Sequence, residues 1–167
     1  LVCLVGSEMC IRDSNMPNGS IIQSARVVSK DTATENDTTS YVQVTGLSIA
    51  FTPLFSNSII EIFTQVFINA QPAGANGYGI NIFKDGTRVS NSPNDSSDRP
   101  YDLYQDASTR VIEYAWKQYY ETSGSTSART YDVRGKVYYP ITNNNMEMGS
   151  SNGDGAENYL LIKDIKA

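Results

Sequence analysis

Hydrophobic and polar residues alternate with a period of two along most of this chain. Tyr41-Val42-Gln43-Val44-Thr45 alternates, and Leu47-Ser48-Ile49-Ala50-Phe51 does so again beyond Gly46. Gly77 to Lys84 sets Tyr78, Ile80 and Ile82 on one face. Asp85-Gly86 then carries a type I′ hairpin signal, and Thr87-Arg88-Val89-Ser90 returns. From Val111 to Glu121 one parity holds Ile112, Tyr114, Trp116, Gln118 and Tyr120, while the other holds Val, Glu, Ala, Lys, Tyr and Glu. From Arg129 to Tyr139 one parity gives Tyr131, Val133, Gly135, Val137 and Tyr139, against Asp132, Arg134, Lys136 and Tyr138. Successive strand side chains point to opposite faces, so these segments read as strands with one dry and one wet face. The alternation predicts strands over 20–29, 40–45, 47–52, 58–69, 77–84, 87–90, 109–121, 129–139 and 158–165. No stretch carries a capped i, i+3, i+4, i+7 apolar stripe. A single helical turn near Pro100-Tyr101-Asp102-Leu103-Tyr104 is the one helical expectation.

Eight or nine short strands between turn-rich loops predict an all-β chain. The expected architecture is a two-sheet antiparallel β-sandwich, jelly-roll-like, with an up-and-down barrel as the alternative. Residues 16–167 read as a single domain, because no linker is long enough to separate a second one. Two features of the pattern bear on function. In Ile59 to Asn69 the face Ile60, Ile62, Val66, Ile68 is dry, yet the opposite face carries Phe63 and Phe67 among Glu61, Gln65 and Asn69. A strand apolar on both faces is usually covered on both, here by a loop of the same chain or by a neighbouring subunit. Trp116 shares its parity with Ile112 and Tyr114, which predicts a place in the core rather than on a sugar-stacking platform.

Composition removes whole classes of chemistry. The 167 residues include 18 acidic and 13 basic side chains, a formal net charge of −5. That balance speaks against a grip on nucleic acid or an anionic membrane, since both need clustered Lys and Arg. No apolar run approaches the roughly 20 residues of a membrane helix. The chain has no histidine, which excludes His-dependent triads, the usual zinc sites and imidazole bases. A chain of this length buries about 70% of its unfolded surface and needs no disulfide or metal to fold.

The remaining candidates are few. Glu61 and Glu113 are mid-strand carboxylates of the kind that glycoside hydrolysis needs in pairs, but they read as solvent-facing residues. Asn152-Gly153-Asp154-Gly155 with Glu157, and Asp95-Ser96-Ser97-Asp98, offer hard oxygen ligands without matching a calcium loop, and turn chemistry accounts for them. Gly74 to Gly79 is glycine-rich but no helix follows it, so it reads as a loop feeding a strand. Tyr101 and Tyr104 sit in the long connection Asn91 to Ser108, and long connections often carry function, so they are the candidate binding residues. No catalytic residue, metal or cofactor is expected.

The N-terminal string LVCLVGSEMCIRDS holds both cysteines, Cys3 and Cys10, and makes a poor signal peptide. It closely resembles translated sequencing-adapter read-through. On that expectation residues 1–15 are a non-native or disordered leader, and Met16 is the natural start. From there the order Met16-Pro17-Asn18-Gly19-Ser20, Ser40-Tyr41-Val42-Gln43-Val44, Phe51-Thr52-Pro53 to Ile62, the Lys84-Asp85-Gly86 hairpin and the closing Tyr159 to Ala167 resembles small virion structural proteins of marine tailed phages, of the tail-fibre or minor capsid kind. The closing strand departs from that family's pattern, which more often ends in Met-Glu-Ile. The resemblance implies a β-sandwich made in the host cytoplasm and carried on the virion. It further implies a homotrimer among other virion proteins that acts by assembly and host attachment, with a host-surface glycan as a possible contact. It carries over no catalytic residue. A monomeric carbohydrate-binding module is the alternative, and a glycan hydrolase the remote one.

Overall fold

The computed structural model describes residues 16–30, 34–36, 40–71, 76–90, 103–105, 111–137, 145–149 and 157–167. Their strands are β1 (Ile21–Ser29), β2 (Thr34–Asn36), β3 (Val42–Phe51), β4 (Ile59–Gln71), β5 (Asn76–Lys84), β6 (Thr87–Arg88), β7 (Leu103–Gln105), β8 (Val111–Thr122), β9 (Arg129–Val137), β10 (Asn145–Met148) and β11 (Asn158–Ile165). The long strands fall where alternation places them. The short strands β2, β7 and β10 carry no such signal, because three or four residues are too few to display a period. At Leu103 and Tyr104 the expected helical turn is corrected to strand, as β7 pairs antiparallel with β5.

The two segments predicted on either side of Gly46 are one strand, β3, with an interruption. Its pairing with β9 runs through Gln43↔Arg134 and resumes at Ser48↔Asp132, so the chain bulges between them. Gly46 sits there at φ +80°, and a Cβ on it would lie 3.1 Å from Ser29 Oγ. Left-handed backbone and close approach both call for glycine. The Asp85-Gly86 turn is as expected, with φ of 48° and 80° at its two residues.

Two antiparallel sheets form. The larger runs β1-β11-β4, with β8 on the far edge of β4 and β10-β2 continuing from the end of its near edge. The smaller runs β3-β9-β5, with β6 and β7 on the far edge of β5. With β2, β6 and β10 set aside, the strands lie in the orders 1-11-4-8 and 3-9-5-7. Among these eight strands the chain changes sheets at every connection except β5 to β7, and its first and last strands are neighbours. This is the jelly-roll order. An up-and-down barrel would pair successive strands instead. The core lies between the inner faces: Val44 and Leu47 from β3, Ile60, Ile62, Val66 and Ile68 from β4, Tyr78, Ile80 and Ile82 from β5, Tyr131 and Val133 from β9, and Leu160 and Ile162 from β11. Burial of each such side chain is worth about 1.5–3 kcal/mol, and together they hold the two sheets face to face.

β4 needs partners along thirteen residues, more than one neighbour supplies on its near edge. β11 covers Ile59 to Gln65 and β10 covers Ile68 to Gln71. At the junction the Phe67 N–H donates to Asn158 Oδ1 at 2.6 Å, and the Phe67 carbonyl accepts from the Gly149 N–H at 2.9 Å. Asn158 Nδ2 in turn donates to the Ser29 carbonyl at 3.2 Å. A fully buried side-chain amide thus substitutes for a missing strand. Replacing Asn158 with Ala leaves a buried N–H and a buried carbonyl without these partners. We expect a loss of about 1–3 kcal/mol, read as a lower urea midpoint with an unchanged slope. An unshifted midpoint would refute this role.

Candidate functional site

β8 turns outward the face that hydrophobicity assigns to the core. Ala115 is buried and packs into the core, whereas Ile112, Tyr114, Trp116 and Tyr120 are 57%, 41%, 62% and 53% exposed. The expectation of a core Trp116 is therefore corrected. Pairing with β4 fixes the reason: Trp116 stands opposite Gln65, on the outer face, and Ala115 opposite Val66, on the inner face. The inner parity reads as wet because it carries Lys117 and Glu121. Lys117 is a half-buried inward charge on an edge strand, the usual protection against pairing with another chain.

Glu121 ends in a polar cluster at one end of the sandwich. Lys84 Nζ donates to Glu121 Oε2 at 2.5 Å, Arg129 Nη1 donates to Oε1 at 3.3 Å, and the Tyr131 hydroxyl also donates to Oε1. Arg129 further donates to the carbonyls of Ser123 and Ser125, both at 2.8 Å. Burial pushes the Glu121 carboxyl up, but the Lys84 and Tyr131 hydrogen bonds and the Lys84 and Arg129 charges prevail and hold it below its ordinary 4.5. Burial first, then the Glu121 hydrogen bond, pushes the Tyr131 hydroxyl far up. With every oxygen occupied, this carboxylate is tied into the fold.

On the outer face of the larger sheet the rings form a ladder across the strands. Phe63 of β4 stacks on Trp116 of β8 with centroids 6.3 Å apart and planes inclined 14°. Its other side stacks on Tyr159 of β11, at 5.8 Å and 24°. The Arg26 guanidinium of β1 closes the row, 5.2 Å from the Tyr159 centroid. Phe67 meets Tyr114 edge-on at 5.5 Å. Among the described residues the second apolar face of β4 is covered in part by rings of its own sheet, and both phenylalanines are half-buried. Cross-strand ring pairs of this kind stabilise a sheet by about 0.5–1.5 kcal/mol each.

Beside the rings lies a polar row. Lys163, Glu61 and Tyr120 stand directly opposite one another on β11, β4 and β8. Glu61 accepts from Lys163 Nζ at 2.7 Å, from the Tyr120 hydroxyl at 2.8 Å and from Gln118 Nε2 at 3.0 Å. The Lys163 bond chiefly, then that of Tyr120, holds the Glu61 carboxyl below its usual range against partial burial. Gln118 also donates to the Tyr120 hydroxyl. The carboxylate thereby fixes the side chains around it.

The outer face of the smaller sheet is sealed by contrast. Arg134 lies 4.4 Å from the Phe83 centroid and is bound to Asp132 by two hydrogen bonds of 2.5 and 3.0 Å, and Tyr41 packs edge-on against Phe83 at 5.0 Å.

Of the residues singled out from sequence, Tyr101 lies outside the described residues. Tyr104 is in β7, opposite Gly77 and on the other sheet from the ring ladder. Glu61 and Glu113 do not converge: Glu61 is on the outer face, while Glu113 pairs with Ile68 on the inner one, seven residues further along β4. The calcium candidates lie outside the described residues except Glu157, which pairs with Lys30 at 2.7 Å. Among the described residues no group of three or more His, Cys, Asp or Glu is placed to hold a metal ion. Nor is any helix among them long and apolar enough to cross a membrane. No protein-family model matches the chain, and no curated protein matches it.

The two tied carboxylates contribute to the stability of the fold against acid. Their folded values are depressed, so their contribution is complete above about pH 4.5 and is lost as pH falls through the folded values. Thermal midpoints should hold down to that pH and fall steeply below it. Glu121→Gln should cost about 3 kcal/mol at neutral pH and flatten the acid limb, because Arg129 is left buried without its counter-charge. An acid limb as steep as in the parent would show that Glu121 is not responsible.

Proposed function

We propose that this chain is a non-catalytic virion structural module, of the tail-fibre or capsid-accessory kind, acting by assembly and host-surface adhesion. The observation that carries the adhesion part of the reading is the exposed ring ladder of the larger sheet; assembly rests on the resemblance alone. Soluble sandwiches normally turn polar side chains outward, and a contiguous aromatic face marks a contact surface. The resemblance of residues 16–167 to small phage virion proteins supplies the setting. The interior is consistent with that work. The carboxylates of Glu121, at the end of the sandwich, and Glu61, on the outer face, are saturated by internal donors, which suits a durable scaffold and leaves them few ways to handle a reactant.

A carbohydrate-binding module is the second reading. It is favoured by the same face, through Tyr114, Trp116 and Tyr120 rather than Tyr101 and Tyr104. The two readings differ in assembly. A fibre or capsid accessory is expected to sediment as a stable trimer at micromolar concentration, and a solitary binding module as a monomer. Sedimentation velocity on the purified chain decides between them. A monomer at every concentration up to about 100 μM, too weak for a stable protein interface, would remove the fibre form.

A further inference from the structure

We infer that the ring ladder of the larger sheet is a stacking platform for an uncharged saccharide, with Trp116 as its principal contact. The inference rests on reading this face as the contact surface, and it names what is contacted. Size is the first argument. The four exposed side chains of β8 present on the order of 400 Å² of surface, at 150–250 Å² for a whole aromatic side chain. A stable protein partner takes about 800 Å² from each side. The patch is small for a second folded chain and ample for a short glycan. From Ile112 to Tyr120 it runs about 27 Å along one strand, several sugar rings in length.

Chemistry is the second argument. A pyranose has an apolar C–H face and a rim of hydroxyls, so it stacks on a ring and hydrogen-bonds at the ring's edge. Gln118 stands between Trp116 and Tyr120 on β8, and Glu61 stands opposite Tyr120. Gln118 presents its amide beside the rings, while Glu61, already occupied by Lys163, Tyr120 and Gln118, holds that amide and the Tyr120 ring in place. Lys163 neutralises Glu61 at 2.7 Å, and Arg26 at the end of the row faces Glu157 at 3.8 Å, so the charges beside the rings are paired. The net charge of −5 works against an acidic glycan. Preorganisation is the third. Phe63, itself backed by Tyr159, buttresses the indole, and Glu61 holds Gln118 and Tyr120, so binding freezes little. The other route to a protein partner, pairing along the edge of β8, is opposed by the inward Lys117.

The test screens the full chain on an array of uncharged and acidic oligosaccharides and titrates the best uncharged binder by calorimetry. Trp116 is the single tryptophan, so its fluorescence reports contact directly. Saturable binding with a shifted Trp116 emission is expected. Trp116→Ala should weaken it by about tenfold or more, while Trp116→Phe keeps most of it. Trp116→Phe should melt close to the parent, and Trp116→Ala should stay folded with a somewhat lower midpoint, since it loses only the ring pair with Phe63. Silence across the array, binding confined to acidic glycans, or binding that Trp116→Ala leaves unmoved would each overturn the inference. Loss of self-association in Trp116→Ala without any glycan binding would also overturn it and give the face to a second copy. A trimer that binds no glycan refutes this inference alone, and a glycan-binding monomer refutes the fibre reading alone.

Discussion

The pairing demands of β4 govern this molecule. Its backbone must be hydrogen-bonded along thirteen residues on both edges, and it is apolar on both faces. The inner face meets that demand through the core, where Ile60, Ile62, Val66 and Ile68 are fully buried. The edges meet it through β8 on one side and through β11 and β10 on the other, with Asn158 filling the seam. The outer face meets it through rings lent by β8 and β11. The ring ladder is therefore a consequence of how β4 is covered, and its exposed end on Trp116 is what remains available for contact.

Charge is handled in two ways. At the end of the sandwich Glu121 is enclosed by Lys84, Arg129 and Tyr131, and the cluster joins β5, β8 and β9 across both sheets. On the outer face Glu61 joins β11, β4 and β8 within one sheet. The first fixes how the sheets meet. The second fixes the surface beside the rings. Neither leaves a carboxylate oxygen without a donor, so in both places acidity serves to hold geometry.

How far the candidate site was legible follows from what a period can and cannot say. Alternation separates the two faces of β8 correctly but assigns them to the wrong sides. Ile112, Tyr114 and Trp116 are the more hydrophobic set, and hydrophobicity alone sends them inward. The core instead takes Ala115, whose small side chain lets β8 lie close, and tolerates Lys117 and Glu121 at its rim. One usable signal lies in Lys117 and Glu121 themselves, since an edge strand often turns charge inward. The double-faced pattern around Phe63 and Phe67 is legible, and its cover is not, because rings from β8 and β11, dozens of residues away, meet it only once registers are set.

From the sequence alone came the fold class, the long strands, the Asp85-Gly86 turn and the irregularity at Gly46, because each depends on local backbone preference and a period of two. Sidedness belonged to the tertiary structure. Which face of β8 meets the core, where β4 changes partners, and that Glu61 and Glu113 lie on opposite faces all depend on strand register. Register is a relation between distant segments, and shifting it by one residue reverses every side chain without altering a single local preference.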